Sequence, residues 1–433
     1  MTDVVEVLRD LLRFDTTNPP GNEGECIGYV RRLVEDAGAE TTILARDDAR
    51  PNLIARVRGA GEAPPLLLYG HVDVVTTANQ PWTHPPFAGE LVDGWVWGRG
   101  ALDMKGGVAM MLDAFLGAAR GELQPRGDVI LCVLSDEENG GDFGAGFLCR
   151  EHPELFEGVR HSLGEFGGAS QRIGGVRFYP IQVAEKQICW LRGRVRGPGG
   201  HAAAGVKGAA MGKTGRVLAR LDSGRLPVHV TQVARAWIES MADAVPRPQS
   251  LVLRSLLDPR LAELTLRAPV PELRILDRAL RNTVTATIIH GGSKINVVPS
   301  EIELELDGRA LPGYGPDDVI REIRTLVGHD LELELVRHDA CPAHSDLSQL
   351  PLLSAILREL DGDAVPVPML QIGVTDGRFF AGIGIQTYGF LPLSLPDGFE
   401  FTKLIHAADE RVPADAIRFG AEAVARVLQR YAG

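Results

Sequence analysis

Near the start of the chain, Val4, Val5, Leu8, Leu11 and Leu12 fall on one arc and Glu6, Arg9 and Asp10 on the other, the spacing of an amphipathic helix. Two later runs, 66–69 (Leu-Leu-Leu-Tyr) and 129–134 (Val-Ile-Leu-Cys-Val-Leu), show no polar alternation, so they predict strands covered on both faces in a largely parallel sheet. An Ala/Met/Leu-rich helix is expected between them, at about 105–120, which is the order of an α/β layer. The pattern changes near Lys186. Residues 188–195 alternate apolar with Arg, as a half-exposed antiparallel strand should. A helix at 206–221, strands at 283–289 and 301–306, a helix at 316–327 and a strand at 331–337 follow. That β-α-β-β-α-β order predicts a small α+β, ferredoxin-like sheet with helices on one face. Residues 223–282, with several prolines and a mixed helical pattern, look like an insertion in it. Past 341 the first grammar returns, with a helix at 352–360, a strand at 385–390 and a final amphipathic helix at 413–431. One domain, 1–187 plus 341–433, is therefore expected to be interrupted by a second, 188–340.

Composition narrows the function. The formal net charge of −12 argues against a nucleic-acid binder, which needs a basic surface to neutralise phosphates. Cys26, Cys132, Cys149, Cys189 and Cys341 are scattered without a CxxC pair, which disfavours a disulfide framework and favours a reducing compartment. The sequence has no uninterrupted apolar run long enough to span a bilayer and no hydrophobic leader, so no membrane association and a cytoplasmic location are expected.

Candidate chemistry clusters just after the buried runs. Gly70-His71-Val72-Asp73 puts a histidine and an aspartate two apart at a strand's carboxyl end, where α/β sheets bind ligands. His71 fits a metal ligand with Asp73 on its second ring nitrogen, or a loop histidine with the same hydrogen bond. Asp103, at a glycine-flanked turn before the Ala/Met helix, fits a helix N-cap as well as a ligand. Glu137 and Glu138 follow the second buried run. Adjacent like charges there need solvent or cations. Glu165 stands in an apolar, glycine-rich loop, and His406 follows Leu404-Ile405. Two histidines and several carboxylates suit Zn²⁺, with Mn²⁺ or Co²⁺ as alternatives.

In combination, Asp15-Thr16-Thr17-Asn18-Pro19-Pro20-Gly21, Gly70-His71-Val72-Asp73, the run 98–107 around Asp103, the run 135–141 around Glu137 and Glu138, and His406-Ala407-Ala408-Asp409-Glu410 resemble the M20 metallopeptidases. The resemblance covers nearly the whole length. It implies a phosphorylase/hydrolase-like doubly wound catalytic domain with an inserted lid or dimerisation domain, compatible with a homodimer through that domain or with a monomer. It also implies two zinc ions: His71 and Glu165 on one, Glu138 and His406 on the other, and Asp103 bridging. Asp73 would hold His71, Glu137 would be the general base, and His201 would reach the reacting carbonyl. Asn296, Arg309 and Gly373 match residues that grip a substrate carboxylate. The implied activity is cleavage of an amide bond beside a free carboxylate, in a short peptide or an N-acyl amino acid. An aminopeptidase or dipeptidase of the same fold and a catalytically silent metal-binding relative are the alternatives.

Overall fold

In a computed structural model, residues 3–270 and 273–433 are described. Contacts divide the chain into two units. The first comprises Met1–Val183, Ser345–Met369 and Thr375–Gly433; the second comprises Ala184–His344 and Leu370–Val374. The first boundary thus lies at 183 where the sequence pattern put it at 187, the second at 344 against 340, and a short stretch near 370 joins the second unit.

The first unit is built on a nine-stranded sheet. Its order is Glu40–Leu44, Asn52–Val57, Val129–Leu134, Leu66–His71, His161–Gly164, Gln386–Gly389, Val176–Glu185 and Ala364–Gln371, with Gln171–Ile173 beside Val176–Glu185. Leu66–His71 and Val129–Leu134 are buried at every position, as their unbroken apolar sequence requires. Only part of the sheet is parallel, which corrects the expectation of a largely parallel one. Val129–Leu134, Leu66–His71, His161–Gly164 and Gln386–Gly389 run parallel to one another, whereas Asn52–Val57 is antiparallel to its neighbours on both sides. Burial on both faces selects apolar side chains and leaves strand direction open. The helix Lys105–Ala119 is buried along almost its entire length, the consequence of an Ala-, Met- and Leu-rich sequence without a polar stripe.

Strand register brings the chemistry together. His71 pairs with Leu134 and Leu68 with Leu163 across parallel neighbours. Three adjacent strands therefore end side by side at His71, at Leu134 just ahead of Glu137 and Glu138, and at Gly164 just ahead of Glu165. This is the carboxyl edge at which open α/β sheets bind ligands.

The second unit holds a four-stranded antiparallel sheet ordered Thr283–His290, Glu301–Ala310, Gln187–Arg196 and Glu332–Asp339. Along Glu301–Ala310 burial alternates residue by residue, and Ile302, Leu304 and Leu306 join Leu191 and Val195 in a core closed by Val217 of Ala210–Ser223 and Val319 and Ile323 of Pro316–Val327. Gln232–Ala244, Gln249–Ser255, Pro259–Thr265 and Leu273–Ala279 are helices within the inserted stretch.

Candidate metal centre

His71, Asp103, Glu137, Glu138, Glu165 and His406 converge in the first unit. His71 Nε2 lies 3.4 Å from Asp103 Oδ1, 3.4 Å from Glu165 Oε2 and 4.0 Å from Glu137 Oε2. On the other side of Asp103, His406 Nε2 lies 3.1 Å from Asp103 Oδ2 and 3.2 Å from Glu138 Oε1. One oxygen of Asp103 thus faces each histidine. The donors form two groups, His71 with Glu137 and Glu165, and Asp103 with Glu138 and His406. His71, Asp103 and Glu165 are buried, while the His406 side chain is 48% exposed.

Asp103 is not a helix cap. The following helix begins at Lys105 after Met104, with no side-chain cap. Backbone conformation is strained around the ligands: His406 has φ 61°, Asp136 before Glu137 has 73°, and Phe166 after Glu165 has 58°. Non-glycine residues rarely adopt these angles unless their surroundings impose them.

The protonation equilibria reflect crowding of acids in a dry place. Burial, reinforced by the neighbouring Glu165 charge, drives the Glu137 carboxyl well above its ordinary range. Burial also raises Glu165, and pushes Glu138 up to about 7 although His406 pulls the other way. Asp103 and Glu138 together raise His406 to about 10. Burial would lower His71, but Asp103, Asp73 and Glu165 outweigh it and raise it. His71 Nε2, Glu138 Oε1 and Glu165 Oε1 are buried without a hydrogen-bond partner. Buried polar atoms are rarely left so. Imidazole and carboxylate donors at these separations are what a pair of divalent cations would satisfy, so the residues fit such a group.

Residues 67–430 match peptidase family M20/M25/M40. The chain belongs to that family. It is therefore a metal-dependent peptidase or amidohydrolase, a hydrolase acting on C–N bonds. It is 27% identical over 383 residues to a probable carboxypeptidase S-like 2 of Dictyostelium discoideum, covering 84% of this chain and 71% of that one. It is 27% identical over 437 residues to a succinyl-diaminopimelate desuccinylase of Paracoccus denitrificans (strain Pd 1222), covering 99% and 98%. Its fold is similar to that of an M20 family metallo-carboxypeptidase from Sulfolobus solfataricus, with TM-score 0.68, 16% identity and full coverage of both chains. Among the described residues no helix is long and apolar enough to cross a membrane.

In this M20 chain Asp73 lies beside His71. The nearest acceptor to His71 Nδ1 is the main-chain carbonyl of Asp73 at 3.0 Å; the carboxylate Oδ1 is 3.4 Å away. That carboxylate also accepts the amides of Glu137 and Glu138, each at 3.1 Å. Only the pairing with His71, two residues away, is local in the sequence; the turn it also holds lies 64 residues away.

Other contributors also act across long sequence separations. Buried Glu410 accepts the amides of Leu102 at 2.7 Å and Asp103 at 3.2 Å and pairs with Arg99 at 2.5 Å. Gln80 accepts from Arg99 and donates to the main-chain oxygen of His406. Glu410 was visible as the last residue of the His406 motif, and Gln80 carried no signal. Asp376, three residues beyond Gly373, is buried with both carboxylate oxygens partnerless, and burial drives it well above its ordinary range.

His201, Asn296, Arg309 and Gly373 all lie in the second unit. His201 pairs with Val297 across a two-stranded ladder, and Ala202 N donates to Asn296 O at 3.0 Å, so the His201 and Asn296 segments are neighbours. The His201 side chain is exposed, its Nδ1 accepting from Ala203 N. Arg309 spends Nε and Nη2 on Asp307, leaving Nη1 buried and partnerless. Gly373 is on the Leu370–Val374 stretch, where Gln371 O accepts from Lys186 N.

Proposed function

We propose that this chain is a two-metal hydrolase that cleaves an amide bond beside a free carboxylate, as a carboxypeptidase or an N-acyl-amino-acid deacylase. The observation that carries this reading is Asp103, whose two oxygens face the two histidines of separate donor groups. His71, Glu165 and Asp103 would hold one cation, and Glu138, His406 and Asp103 the other. Zinc is the expected metal, with Co²⁺ or Mn²⁺ as alternatives. Cations there would polarise the scissile carbonyl and acidify a water molecule.

Glu137 is assigned as general base. Its side chain is 13% exposed, against 1% and 3% for His71 and Glu165 in the same group, so it is the member open to a reacting molecule. Its raised proton affinity suits a carboxylate that accepts a proton from water and hands it to the leaving nitrogen. In the second unit, His201 would stabilise charge on the carbonyl oxygen. Arg309, whose Nη1 has no hydrogen-bond partner, would take a substrate carboxylate. Asn296 and the Gly373 stretch would complete that grip. The carboxypeptidase S-like and desuccinylase relatives support both versions of the substrate.

The test is a panel of N-acyl amino acids and dipeptides, each with its carboxyl-blocked amide, assayed with zinc, cobalt and manganese. Free-carboxylate substrates should be hydrolysed at least about tenfold faster than the blocked ones, the loss expected when a charged group in the site is left unpaired. Equal turnover of both would reject carboxylate recognition. Glu137→Gln should cut kcat by about 10²–10⁴ with both metals retained.

A further inference from the structure

The segment Asp15-Thr16-Thr17-Asn18-Pro19-Pro20-Gly21 has no part in the reaction proposed above, yet it reaches the centre from behind. Asn18 is 4% exposed, and its single amide nitrogen donates to two carboxylates, Asp73 Oδ2 at 2.8 Å and Asp136 Oδ1 at 3.2 Å. Both partners only accept, so nitrogen must face them. Arg50 is 5% exposed and spreads its guanidinium between Asp136 and Glu23, with Nη1 2.7 Å from Asp136 Oδ1 and Nη2 2.7 Å from Glu23 Oε1. Gly21, at φ 80°, leaves the room for it: a Cβ there would stand 2.4 Å from Arg50 Nε.

The two carboxylates that Asn18 bridges grip the same turn. Asp73 takes the amides of Glu137 and Glu138. Asp136 starts the turn in a left-handed conformation and takes the amide of Phe143 at 2.9 Å. Unshielded, Asp73 and Asp136 would repel each other and splay the turn between them. A shared amide and a fork-shaped cation oppose that, and a lysine, as a point charge, could not span Glu23 and Asp136 together.

We infer that Asn18 and Arg50 are positioning residues, which fix Asp73 against Asp136 and thereby set where the Glu137–Glu138 turn points. This rests on reading Glu138 as a metal ligand and Glu137 as the base. Neither residue touches substrate in this account.

The experiment uses the full chain, stripped of metal and titrated with Co²⁺, whose visible absorption reports ligand geometry. The unaltered chain should bind two equivalents. Arg50→Lys and Asn18→Ala should each weaken one equivalent by about 10–100-fold and change its spectrum, the usual effect of disturbing groups behind metal ligands. The double variant should be little worse than the weaker single, because both act on one turn. With an N-acyl amino acid that the unaltered chain hydrolyses, kcat should fall while KM holds. Arg50→Lys keeps the charge; if it fails to unfold cooperatively, Asn18→Ala, which removes none, decides alone. Folded variants with unaltered cobalt affinity and spectrum would overturn the inference while leaving the two-metal reading intact. An unaltered chain that binds no cobalt would remove both.

Discussion

Asp73 is wholly buried, and its carboxylate takes three hydrogen bonds, from Glu137 N, Glu138 N and Asn18 Nδ2. Asp73→Asn would turn an amide nitrogen toward one of these donors. Metal affinity should drop by about 10–100-fold, read by competition with a chromophoric chelator; undiminished affinity would mean that something else holds the turn. Protonation makes a second prediction at this scale. Glu138 holds its proton up to about pH 7 in the metal-free fold, because of burial, against an ordinary value of 4.5. The fold binds that proton more tightly than the unfolded chain, so this stabilisation is present below about pH 4.5 and lost as pH rises through about 7. The Tm of metal-free protein should therefore fall between about pH 5 and pH 8, and zinc should raise Tm more at the upper end, since its ligands bind deprotonated. A metal-free Tm that climbs over this interval contradicts the assignment. The ligands themselves were legible because each sits in a short local motif. What Asn18 and Glu410 do, and the hold of Asp73 on the turn, was not, since those partners lie 55 to 311 residues away.

Elements position these residues through buried strands and one buried ion pair. The strand Val129–Leu134 is inaccessible along its length, and Leu131→Ala there should cost about 2–5 kcal/mol by lost transfer energy and a residual cavity. Arg99 and Glu410 are 1% and 0% exposed in their side chains. Glu410→Gln leaves the guanidinium without its counter-charge, so a loss of about 3–5 kcal/mol is expected by urea denaturation. A change within a few tenths would show that Gln80 suffices to hold Arg99. Strands with unbroken apolar or strictly alternating sequence could be read directly. Ala364–Gln371 could not, for Pro366 and Pro368 interrupt its pattern. Its place at the end of the sheet order explains how it tolerates them, because an edge strand need not donate along both sides.

For the molecule, the split of one domain by another was visible as two changes of hydrophobic period, near 186 and near 341. Mixed strand direction was not, because apolar strands look alike whichever way they run. All five cysteines are free, four of them buried, and burial pushes Cys26 up to about 11. Reducing agent should therefore leave Tm unchanged, whereas a chelator should lower it and abolish hydrolysis until metal is restored. Gln386–Gly389 lies inside the large sheet, between His161–Gly164 and Val176–Glu185, and His406 comes later still. A polypeptide leaving the ribosome would carry His71, Asp103, Glu138 and Glu165 long before those parts appear. The sheet can close, and His406 can join Asp103 and Glu138, only once residues 386–406 have been made.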